Sequence, residues 1–462
     1  VLHIAWPLVL STASYSIMHF CDRMMLTRYS DTTAAASTCA GVLSFAFLSF
    51  FLGISGYTNT FIAQYHGSGN KEFCTRSLWQ GIYFSVAAGI FYPLFLRPLG
   101  TFILNWISHE PGVLAAEQAY FGILALGVAF PILANSLSTF FGGRGDTRTI
   151  MWVSLVIAVI NIFLNYCMIF GNLGFPEMGI AGAAIATISG SACGTILYIF
   201  LVSRKKLLDE YGIWKFMQFR KSTFFQLIKF GGPSGMSFGL EVTAFALVIL
   251  LIGKLGNAQL IATNITFAIN TLSFLPMLGI SFAATILVGK YIGEEKKDLA
   301  EKAAYSSVKI AVIYMAIMGL VFILFPKQLF YIFKGEGIKT ELFDVIFRYG
   351  KIMLIIIAML GVFDAVQIVF SAALNGGGDT WFVMWTKILV SWIIFVPAVF
   401  IGTVVFKFSV YWSWSWFLIF VILLALVFWK RFAAGRWKTI EIKEKPSPAI
   451  LPETVGETVV VD

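Results

Sequence analysis

Three carboxylates stand inside stretches that otherwise read as lipid-soluble helix: Asp22 in LSTASYSIMHFCDRMML, Glu241 in MSFGLEVTAFALVILLIG and Asp364 in KIMLIIIAMLGVFDAVQIVF. An Asp at the centre of a membrane helix costs roughly 2.5–3.5 kcal/mol on insertion scales, so such acids face the protein interior and mark an ion or proton pathway. Polar neighbours fall at helical spacing around them. Asn161 and Asn165 are four apart in VIAVINIFLNYCMIFG and share one face. Two amides on one face either fasten helices together or offer oxygens to an ion. His19 lies one turn before Asp22, where it can share the proton. Gln367 follows Asp364 by one turn and Ser371 by about two. Glu241 and Asp364 belong to the same half of the chain, and two such carboxylates suit a hard cation with several oxygen ligands, or a shared proton. The spans that carry them hold few bases away from their ends, so simple pairing with a buried base is not expected.

The elements that must position these acids are membrane helices. The 462 residues are 58% hydrophobic and 12% charged, with a mean hydropathy of +0.84, against roughly 25% charged in soluble domains. Twelve apolar runs are long enough to span: about 2–27, 34–63, 77–97, 113–141, 149–170, 178–202, 226–253, 258–289, 303–325, 342–374, 380–403 and 408–429. An all-α polytopic membrane protein follows, with the longer runs tilted or kinked. The chain opens on Val1, and a few leading residues are expected to precede it. Cys21, Cys39, Cys74, Cys167 and Cys193 show no CxxC spacing and read as small core residues, with no disulfide framework or metal site. The net charge of +9 is distributed as a membrane protein distributes it, not as a nucleic-acid binder does. About 20 Lys and Arg fall on the side of the N-terminus and about seven on the other, including Arg28, Arg97, Lys254 and Lys327. By the positive-inside bias both termini are cytoplasmic.

Shifting the chain by 226 residues lays GISGYTNTFIAQYHG (53–67) on GISFAATILVGKYIG (279–293), and Pro7 on Pro233. FFGGRGDTRT (140–149) falls on ALNGGGDTWF (373–382) at a shift of 233. Six spans therefore repeat in parallel orientation, giving two six-helix bundles at 1–202 and 226–430 with a cavity between them. The joint, 203–225, interleaves basic residues with Trp214, Phe216, Met217 and Phe219, as an interfacial helix does when it tethers the halves without fixing their angle. Residues 431–462, rich in Pro and Glu towards their end, read as a disordered tail. The YWSWSWF run (411–417) and Trp429 fall at opposite ends of the last span, as an aromatic belt does. GGRGDT and GGGDT lack the Lys and hydroxyl of a phosphate loop. Their glycines make tight turns, with Asp146 or Asp379 capping the next helix.

Together these features resemble the multidrug and toxic compound extrusion family of transporters, in its NorM-type branch. The resemblance runs from Pro7 to about Trp429 and rests on HFCDRMM, the two GIS blocks, FFGGRGDTRT, LNYCMIFGNLGFPEMGIAGAAIAT (164–187), LEVTAFALVILLIGKLG (240–256) and FDAVQ (363–367). It implies a V-shaped pair of bundles in the bacterial inner membrane, acting as a monomer. Amphipathic, often cationic compounds would leave in exchange for inward Na⁺ or H⁺, with no cofactor and no covalent chemistry. It implies a first-half polar site of Asp22, Asn161 and Asn165, joined by Thr187, and a second-half cation site at Glu241 and Asp364, able to hold Na⁺. Leu360 and Asn264 depart from the aromatic hydroxyl and the Gln that relatives often carry there. Tyr15, Thr187, Asn264, Phe267 and Gln367 are expected to line the substrate cavity, with Phe45 and Phe274. A flippase for lipid-linked saccharides, from the related superfamily, is the rival reading, but it calls for several cavity Arg and Lys, and mid-span cations are few. No nucleophile with its base suggests an enzyme, and lone acids in a parallel repeat do not suggest a channel.

Overall fold

The computed structural model describes residues 1–333 and 340–442, which are helical with no strand among them. The elements are α1 (Leu2–Tyr29), α2 (Asp31–Gly67), α3 (Lys71–Ile107), α4 (Pro111–Leu126), α5 (Ala129–Gly143), α6 (Thr147–Phe170), α7 (Ile180–Val202) and the short α8 (Lys205–Tyr211). Then follow α9 (Lys221–Gly253), α10 (Asn257–Gly293), α11 (Lys297–Leu324), α12 (Pro326–Tyr331), α13 (Thr340–Gly376), α14 (Thr380–Val405) and α15 (Val410–Ala433). Ten of these are long and apolar enough to cross a membrane, and α4 with α5 forms an eleventh span bent by 43°. The elbow lies at Gly127, where a Cβ would meet Ile188 at 2.4 Å, so the bend closes directly on α7. The twelfth is α1, whose polar residues lower its hydropathy. Its 28 residues rise about 42 Å at 1.5 Å each, enough for a hydrocarbon core of about 30 Å.

Prolines do not end the spans that contain them. The segments Tyr92–Leu96, Leu389–Phe395 and Ile401–Val405 are π-helical and lie near Pro93, Pro98 or Pro397. The wider turn absorbs the lost N–H and the ring clash. The third span therefore runs on to Ile107, past the residue 97 at which its apolar run stops.

One apolar core lies within the second half, around Phe322, Phe370, Phe395 and Trp414, and another within the first, around Phe61, Phe84, Phe140 and Tyr198. Between them α2 packs on α9 and α10, and α1 packs on α10. The crossings obey the sequence repeat. A Cβ on Gly53 would strike Gly235 Cα at 2.4 Å, and one on its repeat partner Gly279 would strike Val9, the partner of Gly235. A Cβ on Gly67 would lie 2.1 Å from the Lys290 carbonyl oxygen, and one on Gly293 would lie 2.1 Å from that of Gln64. The halves thus meet across a pseudo-two-fold axis, backbone to backbone, where only glycine fits. Gln64 Nε2 donates to the Gly376 carbonyl at 3.0 Å and Tyr57 Oη to that of Asn375 at 3.0 Å, joining the halves at the same end. Gly67→Ala should lower stability by about 1–3 kcal/mol, the usual cost of overpacking, because the obstacle is backbone. Gly112→Ala, which meets nothing within 4 Å, is the control, and thermal unfolding in detergent reads both.

The joint and the tail are more tightly held than their composition suggests. Within the joint Lys205–Tyr211 is helical and residues 221–225 already belong to α9, while the stretch between them is strapped along α3. Thr75 Oγ1 donates to the Tyr211 carbonyl at 2.8 Å, Trp79 Nε1 to that of Ile213 at 2.7 Å, and Tyr83 Oη to that of Met217. The Lys71 ammonium, 3.0 Å from Glu210, holds that carboxyl below its usual range. A free tether is therefore replaced by a fixed one, because the joint's aromatic and backbone groups find partners on α3. The stretch expected to be disordered begins inside α15. Trp437 is fully buried and stacks on Phe432 at 4.8 Å, and Lys438 lies 2.5 Å from Glu301. Ile442 is buried in the core of the first half. Residues 443–462 of that tail lie outside the described residues. Trp414 also leaves the expected belt: it is buried, stacked on Phe267 at 5.0 Å.

Candidate functional site

In the first half α1, α6 and α7 bring four polar side chains into one chain of hydrogen bonds. Asn165 Nδ2 donates both to Asp22 Oδ1 and, at 3.1 Å, to Asn161 Oδ1. Asn161 Nδ2 donates to Thr187 Oγ1 at 3.4 Å, and Thr187 donates to the Ala183 carbonyl at 3.0 Å. Asp22 is 7% exposed and both asparagines are fully buried. The four-residue spacing of the amides is what aligns them along α6, and Asp22 reaches them because α1 packs on α6. Asn165 Oδ1 is enclosed and accepts no hydrogen bond. A buried oxygen beside a carboxylate is where a cation or a proton donor gains most. His19 does not share in this network. Its side chain is largely exposed, and Nδ1 stands 3.9 Å from Asp22 Oδ2, beyond hydrogen-bond reach.

The second half carries a different arrangement. Asp364 on α13 accepts from Gln367 Nε2 at 2.9 Å, and Gln367 Oε1 is buried without a partner. Glu241 on α9 is not free to join Asp364 in holding an ion, because Lys387 on α14 lies 2.7 Å from its Oε2. This corrects the expectation that neither acid meets a buried base. The base stands on the eleventh span, not on those that carry the acids. Glu241 and Lys387 both lie close enough to act electrostatically on Asp364. A Na⁺ shared by Glu241 and Asp364 would have to displace an ammonium already in place. The repeat sharpens the contrast. Glu241 falls on Tyr15 at the shift of 226 and Lys387 on Ser154 at 233. Tyr15 and Ser154 are both uncharged, so the ion pair of one half has an uncharged counterpart in the other.

The expected cavity residues divide. Tyr15 is 41% exposed and Phe45 meets Phe238 of the other half edge-on at 6.1 Å. Asn264 is exposed, Phe274 half-buried and Gln367 buried. Phe267 is half-buried in an aromatic cluster with Phe245, Trp414 and Phe417, which surrounds a void of about 10 Å³, too small for a drug-sized molecule. The GGRGDT turn behaves as its sequence predicts: Asp146 accepts from the Thr149 amide at 3.4 Å and its hydroxyl at 2.8 Å. Its counterpart does not. Asp379 makes no cap and instead accepts two hydrogen bonds from Arg431, at 2.6 and 3.1 Å. A bidentate guanidinium outcompetes a neutral amide. Two charged residues escaped the sequence reading although their signal was there. Lys387 lies inside the apolar run 380–403, and Glu117, fully buried on α4, lies inside 113–141.

Comparison with known proteins places this geometry. A family model described as MatE matches residues 7–167 and again 233–401. The two matches begin 226 residues apart, the offset at which the repeated blocks coincide. The chain is similar to a probable multidrug resistance protein NorM of Thermotoga maritima, 28% identical over 383 residues, covering 82% of this chain and 79% of that protein. It is similar also to the multidrug resistance protein NorM of Aliivibrio fischeri, 25% identical over 401 residues, covering 86% and 85%. Among solved structures, an outward-facing multidrug resistance MATE family transporter of the MOP superfamily aligns with a TM-score of 0.86 at 18% identity, covering 95% and 96%. A MOP superfamily transporter from Pyrococcus furiosus aligns at 0.84, with the same identity and coverage. At that identity the structures speak for the fold. Matched twice by one family model across most of its length, this chain belongs to the MatE family of membrane transporters.

Proposed function

We propose that this protein is a secondary active antiporter that exports amphipathic, often cationic compounds in exchange for inward Na⁺ or H⁺. The reading places it in the bacterial inner membrane as a monomer with both termini in the cytoplasm. The observation that carries it is the chain Asp22–Asn165–Asn161–Thr187, a carboxylate and an unpartnered amide oxygen sealed inside one bundle of a duplicated scaffold. An inward-moving cation or proton neutralises Asp22, which weakens its attraction for a cationic substrate, and the substrate leaves. Rocking of the halves about the glycine crossings then carries the ion inward. The names of the relatives, multidrug resistance proteins, support the substrate class. In the second half Lys387 already compensates Glu241, so Asp364 with Gln367 is the position there for a second cation.

The energy suffices for export: a tenfold ion gradient is worth about 1.4 kcal/mol, and one charge crossing 100 mV about 2.3 kcal/mol. The test is reconstitution in liposomes, with efflux of a cationic dye followed under an imposed Na⁺ gradient and, separately, a pH gradient. Uphill efflux under one or both is expected. No response to either overturns the antiporter reading.

A further inference from the structure

A fourth carboxylate takes no part in either site. Glu117 on α4 is fully buried, and its environment is unlike that of the other acids. Its Oε1 lies 2.8 Å from His109 Nδ1, in the connection between α3 and α4, while its Oε2 is enclosed and accepts no hydrogen bond. The thiol of Cys39, two turns into α2, faces the same carboxyl group. One ligand atom from each of the three, a sulfur, an imidazole nitrogen and a carboxylate oxygen, lies within 4.8 Å of the others. The group sits at the rim of the first bundle, on the membrane side opposite the N-terminus, because α2 and α4 both begin there.

An ionised carboxylate out of water is costly unless paired or bound to a metal. A hydrogen bond to His109 satisfies one oxygen and leaves the other orphaned. A metal ion accounts for all three groups together. We propose that Cys39, His109 and Glu117 form a binding site for a thiophilic divalent cation of the Zn²⁺ type. Thiolate, imidazole and carboxylate are the ligands Zn²⁺ takes, and three protein ligands with one open position is one of its usual arrangements. Hard cations such as Mg²⁺ and Ca²⁺ call for oxygen donors throughout. Charge also balances: a thiolate and a carboxylate neutralise a divalent ion, which a poorly solvated site requires. The half-exposed His109 gives the ion a way in. The three ligands come from segments far apart in sequence, so no CxxC spacing announces them. Bound metal ties the start of α2 to the α3–α4 connection, which the Gln118–Asn105 hydrogen bond of 2.7 Å already steadies.

The experiment is equilibrium binding of Zn²⁺, and of Co²⁺ as a spectroscopic substitute, to the purified full chain in detergent. Wild type should bind one equivalent, with a thiolate-to-metal absorption band for Co²⁺. Cys39→Ser and His109→Ala should each weaken binding at least about 100-fold, the upper end of what loss of a mere supporting contact costs. Because Glu117 is buried, Glu117→Gln is judged only in preparations whose thermal unfolding matches wild type. A second readout does not depend on variants at the site. In a chain carrying Cys21→Ser and Cys193→Ser, Zn²⁺ should slow alkylation of Cys39 by a maleimide. Binding unchanged by Cys39→Ser and His109→Ala, or an alkylation rate indifferent to Zn²⁺, overturns the proposal. Neither readout involves transport, so its failure is separable from failure of the antiporter reading.

Discussion

Asp22→Asn should abolish uphill dye export while leaving the protein folded. Under a tenfold inward gradient of the coupling ion, wild type should sustain a dye gradient of about tenfold per ion exchanged, since that ion gradient is worth about 1.4 kcal/mol. The variant should sustain none. The substitution is chosen because Asn is isosteric and still offers Oδ1 to Asn165 Nδ2, so the link between α1 and α6 survives. What disappears is the charge that a Na⁺ or H⁺ must neutralise. Asn165→Leu should act in the same direction but less completely, because it removes the neighbouring oxygen and leaves the carboxylate. The measurement is dye distribution at steady state in liposomes with a defined ion gradient. Wild-type accumulation by Asp22→Asn would remove the first-half site from the mechanism.

The second large effect is expected at Lys387. Lys387→Met deletes the ammonium 2.7 Å from Glu241 and strands a carboxylate whose side chain is 22% exposed. Breaking a buried pair from one side costs about 3–5 kcal/mol, whereas replacing both members is often neutral. Lys387→Met should therefore lose about 3 kcal/mol, and the double variant Glu241→Gln with Lys387→Met should recover most of it. Denaturation of the four proteins of the cycle in detergent gives the coupling energy. A second signature follows from charge. With the ammonium gone, Glu241 and Asp364 form a pair of acids open to a metal ion. Na⁺ should then raise the unfolding midpoint of Lys387→Met and leave that of the double variant unmoved. Additive losses in the cycle would mean that the ion pair is not coupled, and Lys387 would lose its role.

Much of the architecture is legible along the chain. Membrane helices follow from apolar runs that water cannot solvate, and the internal duplication from GIS blocks that recur 226 residues apart. Asn161 and Asn165 announce a polar face because an α-helix returns to the same side every fourth residue. These are local facts. They depend on solvent and helical period, which each segment carries by itself. The residues that escaped do so because their meaning lies in a partner. Lys387 is an ordinary lysine in an apolar run until α9 and α14 bring it to Glu241, 146 residues away. Asp379 has the sequence of a helix cap until Arg431 takes both of its oxygens.

The sequence by itself therefore determined an all-helical membrane protein, duplicated in parallel, with acids placed where lipid would otherwise be and two asparagines sharing one face of α6. Only the tertiary structure decided how those acids are partnered. It joined Asp22 to Asn165, compensated Glu241 with Lys387 and gathered Cys39, His109 and Glu117 at the rim of one bundle. The reason is physical: hydropathy and periodicity act within a helix, whereas a charge in a low-dielectric interior takes its character from whatever lies within a few ångströms, and packing supplies those neighbours from anywhere in the chain.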